Sequence, residues 1–307
     1  MKTCPFFGKC GGCKFDFADA DYRSVKMAHL KTPGVTHDPI WVAPNTRRRA
    51  EFCFAGGHFG FYAAGSKDII DITHCPGVVP QINDVLPGIG ALPWAGSGGA
   101  LVTLCDNGID LAVTSDVPYF SAEFKRAAEK LPLIRVTWNG TTVFERTPPT
   151  VTFAGHTVPY PAGTFLQPTI PGADAMRDLV IRHADGAKRV ADLFCGLGNF
   201  TFALNATGFD IVGIGVKRDL FRSPLRVGML NQYDCVVMDP PRAGAMAQCR
   251  ELINSTVPRI IYVSCNPATF ARDRDILTRG GYHITHLTPL DQFVGSAHWE
   301  LIAVFEK

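Results

Sequence analysis

Asp192-Leu-Phe-Cys-Gly-Leu-Gly-Asn-Phe200 is an apolar run that breaks into a glycine-rich turn. A buried strand feeds a helix in this way, leaving the turn's backbone free to approach a ligand. The string holds G-x-G without the full G-x-G-x-x-G fingerprint of a dinucleotide site, which argues against NAD. Working outward, short apolar runs alternate with helical stretches from about residue 160. Strands are expected at 190–194, 210–213, 234–238, 260–264, 284–287 and 301–305, and helices at 173–184, 245–255 and 269–279. The alternation predicts an open, mostly parallel α/β sheet with helices on both faces.

Ligands of such sheets bind beyond the carboxyl ends of the strands, and further motifs fall there. In Asp239-Pro-Pro-Arg-Ala-Gly-Ala245, paired prolines stop the ladder and hold Asp239 at the cleft. Ser264-Cys265-Asn266-Pro267 puts a thiol at the end of a buried strand. A cysteine there is either a small packed hydrophobe or a nucleophile activated by a lowered pKa or a nearby base. Glu300, in His298-Trp299-Glu300, is either a surface carboxylate or a general base at the same rim.

The first half differs in style. Residues 40–150 are rich in Val, Thr, Phe, Gly and Pro, in short runs that read as a small α+β domain. Asp106-Asn107-Gly108 between two apolar runs is a hairpin signal. Ser121 reads as the N-cap of a helix reaching Leu131, with Phe124, Ala128 and Leu131 inward. Pro87–Gly99 reads as an exposed loop, and Asp19–Thr32 as a short helix with Tyr22, Val25 and His29 on one side. Cys4, Cys10, Cys13 and Cys75 are spaced C-x5-C-x2-C-x61-C. This lacks the short paired spacing of a zinc finger. Iron–sulfur sites accept a distant ligand, and the Cys75-Pro76 pair is in keeping with one; zinc stays the alternative. Cys53, Cys105, Cys235 and Cys249 read as core or strand residues.

The bulk composition narrows the class. The 307 residues are 46% hydrophobic and 19% charged, enough for a sizeable core. No apolar run reaches the ~18 residues of a membrane helix, and Met1–Pro5 has no apolar signal region. Ten cysteines in such a chain point to a reducing, cytoplasmic compartment, with metal or catalytic roles ahead of disulfides. The net charge is +2 and the pI near 8.0, below the ~9 typical of nucleic-acid domains. RNA contact would therefore fall to local clusters, Arg47-Arg48-Arg49 or Lys217-Arg218 with Arg222 and Arg226. Such clusters are equally read as solvated surface.

The four cysteines, Phe165-Leu-Gln-Pro168, 192–200, 239–245, 264–273 and 298–300 occur together in one order across nearly the whole chain. In this the chain resembles the RNA (uracil-5-)-methyltransferases, specifically the bacterial 23S rRNA branch that carries a [4Fe-4S] cluster. The resemblance implies a Rossmann-like class I methyltransferase domain at 160–307 and an iron–sulfur region at 1–80. It also implies an overlapping central α+β RNA-binding domain at 40–155, without an N-terminal OB/TRAM barrel. S-adenosylmethionine would be the methyl donor and 23S rRNA the partner of a monomer that keeps off membranes. Alternatives are the same chemistry on tRNA, whose enzymes generally lack the cluster, and an RNA-binding iron–sulfur protein with impaired methyl transfer. By resemblance, Cys265 adds to uracil C6 and Glu300 removes the C5 proton. Gln167, Phe194, Asp219 and Asp239 match donor-pocket positions, beside Gly196 and Asn199 of the glycine-rich turn. Cys4, Cys10, Cys13 and Cys75 match the cluster ligands, in a structural role.

One stretch departs from the family. Related enzymes end the second sheet strand on a Glu that holds the donor's ribose, then add a helix and another strand. Here Asp210-Ile-Val-Gly-Ile-Gly215 runs straight into Val216-Lys-Arg-Asp219, and the Glu position falls on Gly215. A parallel crossover needs about a dozen residues. The expectation is a domain that lacks an edge strand and its helix, with the ribose contact missing or supplied by Asp219 or RNA.

Overall fold

The computed structural model describes residues 4–30, 32 and 34–307. Met1–Thr3, and Lys31 of the first expected helix, lie outside the described residues. Helix α1 (Tyr22–Ala28) and the short strand β1 (Ile40–Trp41) open the chain. The central layer contains β2 (Arg49–Ala55), β3 (His58–Tyr62), β4 (Ile69–Asp71), α2 (Pro80–Gly90), β5 (Ser97–Cys105) and β6 (Gly108–Ser115). It ends with α3 (Ala122–Ala128), β7 (Leu133–Trp138) and β8 (Thr141–Glu145). A hairpin, β9 (Thr150–Phe153) and β10 (His156–Pro159), leads into the second layer. There follow α4 (Ile170–Ala184), β11 (Val190–Leu193), α5 (Thr201–Leu204), β12 (Thr207–Asp210), β13 (Val216–Lys217) and α6 (Val227–Leu230). The chain closes with β14 (Cys235–Met238), α7 (Met246–Leu252), β15 (Arg259–Ser264), α8 (Pro267–Arg279), β16 (His283–Asp291) and β17 (Glu300–Glu306).

The central strands form a seven-stranded sheet in the order β4-β3-β2-β5-β6-β7-β8. β2 alternates between buried and more exposed residues, as a sheet with one covered face must. The predicted hairpin is present, with Cys105 opposite Gly108. Ser121 caps α3 by accepting from the Phe124 N–H at 3.0 Å. Pro87–Gly99 is not an exposed loop. Pro87 lies inside α2, whose Ile82, Val85, Leu86 and Ile89 are buried at helical spacing, and Trp94 stacks on Phe54 at 4.4 Å. Burial of that apolar face outweighs the hydrogen bond that the proline removes. The short N-terminal helix covers Tyr22–Ala28 of the expected span, with Tyr22 inward and Val25 exposed.

The second sheet has eight strands in the order β1-β16-β17-β15-β14-β11-β12-β13. β11, β14 and β15 pair in parallel, and β17 runs antiparallel between β15 and β16. Apolar residues fill β11, β14 and β15 because both sheet faces are covered. The order reverses beside β11, which leaves a crevice between its end and that of β14, where doubly wound sheets bind ligands.

The shortened segment is a partial correction to expectation. The second strand is Thr207–Asp210, three residues earlier than 210–213, and the intervening helix is absent. An edge strand survives: Val216 and Lys217 pair in parallel with Phe209 and Asp210. Five residues suffice because the chain steps back only about two residues, some ~7 Å at ~3.3 Å each. The turn needs backbone-to-backbone contact. Gly213 has φ +91°, and a Cβ there would lie 1.8 Å from the Gly196 carbonyl oxygen. A Cβ on Gly215 would lie 2.6 Å from the Gly208 backbone. No described helix is long and apolar enough to cross a membrane.

Candidate active site

Two parallel strand ends and the start of an antiparallel strand meet at one rim. β15 ends at Ser264, so Cys265 stands at the strand end, with Asn266 capping α8 by accepting from the Ala268 N–H at 3.1 Å. β14 ends one residue before Asp239. β17 starts at the same rim, where Leu301 pairs with Ser264, so its first residue, Glu300, enters beside Cys265. Glu300 is only 2% exposed. Its Oε2 accepts from Gln292 Nε2 at 2.6 Å, while its Oε1 is buried without a partner. The same Gln292 amide donates to Gln167 Oε1 at 3.0 Å, and Gln167 Nε2 donates to Asp239 Oδ2 at 2.9 Å. Two side-chain amides thus link two carboxyl groups.

Burial sets the charge states here. The Cys265 thiol is pushed up to about 11 by burial, then by Glu300 and Asp239, with Arg242 opposing. Burial lifts Glu300 well above the usual carboxylate range, and Asp239 adds to the lift. Burial and then Asp192 raise Asp239 to about 7. Asp192, fully buried in β11 with Thr201 Oγ1 donating to it at 2.6 Å, is likewise raised to about 7 by burial. Like charges in a low-dielectric site hold one another neutral.

The glycine-rich turn sits next to this rim. Phe194 adopts φ +64° and packs against Phe221 at 5.4 Å between ring centroids. A Cβ on Gly196 would meet nothing within 4 Å, so its backbone borders open space. Asn199 Nδ2 is buried without a partner, and its Oδ1 accepts from Arg177 at 3.4 Å. Asp219 is occupied locally: its Oδ1 accepts from the Phe221 and Arg222 N–H groups at 3.0 and 3.1 Å.

The acidic residue at the second strand's end is Asp210, which the sequence reading missed; Gly215 lies in the loop ahead of β13. Asp210 Oδ2 accepts from Gly196 N at 2.8 Å, and Oδ1 accepts from Ile211 N at 2.6 Å and Val212 N at 3.2 Å. Its carboxylate therefore braces the turn. Ile214 N reaches the Gly196 carbonyl at 3.2 Å, and loop 211–215 lies against the glycine-rich turn. Gln292, also missed, is a polar residue just past an apolar strand, a signal too common to single out.

The four N-terminal cysteines line one cavity of about 340 Å³ with Phe6, Phe61 and Arg47. Asn83 of α2 clamps Cys75, accepting from its N–H at 2.8 Å and donating to its carbonyl at 3.0 Å. The Gly12 N–H points at Cys10 Sγ, 3.3 Å away. Cys13 is pushed up to about 12 by burial, then by Cys75, Cys10 and Cys4. Among the described residues, no three His, Cys, Asp or Glu side chains converge as ligands of a single metal ion. Cys105, Cys235 and Cys249 are buried, as core residues should be. Arg47–Arg49 is not a solvated stripe. Arg48 is buried with its Nε donating to the Leu104 carbonyl at 3.2 Å, Arg47 faces the cysteines, and Arg49 lies over the Phe165 ring at 5.4 Å.

The chain is 37% identical to an uncharacterized RNA methyltransferase of Agrobacterium fabrum, over 98% of this chain and 83% of that protein. A Rhizobium meliloti RNA methyltransferase is 39% identical over 98% and 83%. The 23S rRNA (uracil(1939)-C(5))-methyltransferase of Salmonella paratyphi A is 30% identical over 99% and 81%. The profile described as tRNA (uracil-5-)-methyltransferase matches residues 212–307. The chain belongs to the RNA (uracil-5-)-methyltransferase family. This methyltransferase shares its fold with the Pyrococcus abyssi tRNA (uracil-54, C5)-methyltransferase, crystallised with S-adenosyl-L-homocysteine. The TM-score is 0.72 over 93% of this chain and 82% of that one, at 18% identity. The alignment with the Agrobacterium relative spans 345 positions, more than the 307 residues of this methyltransferase, so that relative carries extra internal residues.

The site's electrostatics give a direct test. Iodoacetamide alkylation of Cys265, followed by mass spectrometry, should rise in rate through about pH 11 in the wild type. Glu300→Gln removes a negative neighbour, so its rise should come at lower pH. An unchanged midpoint would show that the carboxylate does not act on the thiol.

Proposed function

We propose that this methyltransferase modifies C5 of a uridine in 23S rRNA, with S-adenosylmethionine as the donor and a covalent Cys265–C6 adduct as the intermediate. The observation that carries the reading is the meeting of a thiol and a buried carboxyl group, whose free Oε1 lacks a partner, at one strand-end rim. Uracil C5 is a weak nucleophile. Addition of Cys265 to C6 moves electron density to C5, which then takes the methyl group. Glu300 accepts the C5 proton, the C5–C6 double bond returns, and Cys265 leaves. One hard step becomes two easier ones. Burial raises Glu300, which makes its carboxylate a stronger proton acceptor. The target base must leave its stack to reach the thiol. The rRNA assignment is supported by the Salmonella relative, and the same chemistry on tRNA is the alternative. RNA carrying 5-fluorouridine blocks the proton-removal step and should trap the wild type as a denaturation-resistant complex on 23S rRNA fragments. Cys265→Ala should trap none. A wild type that forms no complex, or one that the substitution leaves untouched, would sink the covalent reading; trapping on tRNA alone would sink the rRNA assignment.

The donor site fits in part. Gln167, Phe194, Asp239, Asn199 and the Gly196 backbone would hold the donor, which supplies the methyl group. The ribose end is tighter, because Asp210 is occupied and loop 211–215 lies on the turn. That observation favours a second reading, an RNA-binding protein with impaired methyl transfer. Calorimetry separates the two. Gly213→Ala forces a Cβ into the Gly196 carbonyl and should lift the loop, raising S-adenosylmethionine affinity ~10-fold, or about 1.4 kcal/mol. Tight wild-type binding that the substitution does not improve would refute the closed pocket. No binding by either protein would favour impaired transfer.

We further propose that Cys4, Cys10, Cys13 and Cys75 hold a [4Fe-4S] cluster that ties the N-terminal segment to the loop before α2. The shared cavity, the apolar lining and the N–H directed at Cys10 support it. Anaerobically purified protein should contain iron and acid-labile sulfide, both lost in Cys13→Ser and Cys75→Ser. Stoichiometric zinc without sulfide would be the contrary result.

A further inference from the structure

The segment 291–299 runs from the end of β16 to Glu300, and the N-terminal segment grips it throughout. Lys26 Nζ pairs with Asp291 Oδ1, both side chains being fully buried. The same ammonium donates to the Phe293 carbonyl at 3.0 Å and lies 5.0 Å from the centroid of the Trp299 ring. The Tyr22 hydroxyl donates to Asp291 Oδ2 at 2.5 Å and accepts from Gly295 N at 3.0 Å. The Gly295 carbonyl in turn accepts from Lys14 N and Phe15 N at 2.7 and 2.8 Å. Asp291 is followed directly by Gln292, whose amide holds Glu300 Oε2 at 2.6 Å. One buried cation thus fixes a carboxylate whose chain neighbour fixes the base.

A buried ion pair is a poor device for stability, since apolar isosteres often serve as well. Its use here is direction. The Asp291 carboxylate must point away from the rim to meet Lys26 and Tyr22, and this sends Gln292 toward Glu300. With Oε2 held by Gln292, only Oε1 of Glu300 is left without a partner. We propose that Lys26 is a positioning residue for Glu300, acting through Asp291 and Gln292, so that the N-terminal segment sets the geometry of proton removal. The inference rests on the reading of Glu300 as the group that takes the C5 proton. In that step the C5–H bond breaks, its proton goes to the Glu300 carboxylate, its electron pair restores the C5–C6 bond, and the Cys265–C6 bond breaks to release thiolate.

The steps before proton removal need Cys265 but not a well-placed base, and 5-fluorouridine separates them. The Lys26→Met/Asp291→Asn double variant removes both buried charges while keeping their volumes, so neither charge is stranded. With S-adenosylmethionine present, it should trap 5-fluorouridine RNA within about threefold of wild type. Its turnover on the matching uridine RNA should fall ~10-fold or more, part of the range that general bases supply. Asp291→Asn alone keeps an oxygen acceptor for Lys26 and should show the same split, less strongly. Undiminished turnover in both variants would overturn the proposal. So would trapping and turnover falling in step, which marks a merely structural role. A wild type that traps nothing overturns the covalent reading itself and this inference with it, a result distinct from either.

Discussion

Because β17 runs antiparallel between β15 and β16, its first residue arrives at the rim where the parallel strands end. An all-parallel sheet would put that residue at the opposite edge, a strand length away. The single reversed strand therefore makes a thiol from one strand end and a carboxyl group from one strand start into neighbours. The other parts of the site are arranged around that meeting. Asp239 comes from the adjacent strand end, and Gln292 from the end of β16 on the other flank. Gln167 lies just ahead of the Thr169 cap of α4 and bridges them. Strand ends thus place the candidate reacting groups.

The same geometry creates an electrostatic problem. Asp192, Asp239 and Glu300 are carboxyl groups in one desolvated region, and the thiol joins them. Asp210, a further acid whose oxygens accept from three backbone N–H groups, adds to the rise at Asp192. Burial raises all three acids, with Asp192 adding to the rise at Asp239 and Asp239 to that at Glu300, so neutral forms are favoured. In the proposed reaction the pocket admits an uncharged uracil, which neutral acids suit, and a cationic sulfonium, which they do not. A cation beside Asp239 would favour its carboxylate, so donor entry and the charge state of the acids are linked. Arg242, directly after the second proline, is the nearby cation that already opposes the rise at Cys265.

Much of this was legible in the chain. The strand-to-turn passage at 192–200, the proline stop after Asp239 and the Ser-Cys-Asn-Pro end of β15 each carry a local physical signal, and each stands at the predicted strand end. What escaped were features decided by packing. Pro87 and its glycines read as a loop, but the apolar spacing of Ile82, Val85, Leu86 and Ile89 won. Three adjacent arginines read as an RNA-contact cluster or as solvated surface, yet two are bound into the structure by the Leu104 carbonyl and the cysteine cavity. Gln292 and Lys26 meet Glu300 and Asp291 from 8 and 265 residues away in sequence. No window of local sequence reports such pairs.

The shortened crossover shows how close packing can replace length. A helix normally returns the chain to the start of the next parallel strand. Here the return is so short that backbone must rest on backbone, and the Gly196 carbonyl leaves no room for a side chain on Gly213. Ile211, Val212 and Val216 remain exposed at this sheet edge. The edge strand is two residues long, as is common where an exposed edge has to be kept from pairing with other chains. The glycines also tie two properties together. The contact that lets β13 join the sheet is the contact that crowds the glycine-rich turn, so edge pairing and donor access depend on the same few atoms. Any sequence change that widens the turn for a ligand must loosen β13. Conversely, whatever holds β13 in register keeps loop 211–215 against the glycine-rich turn.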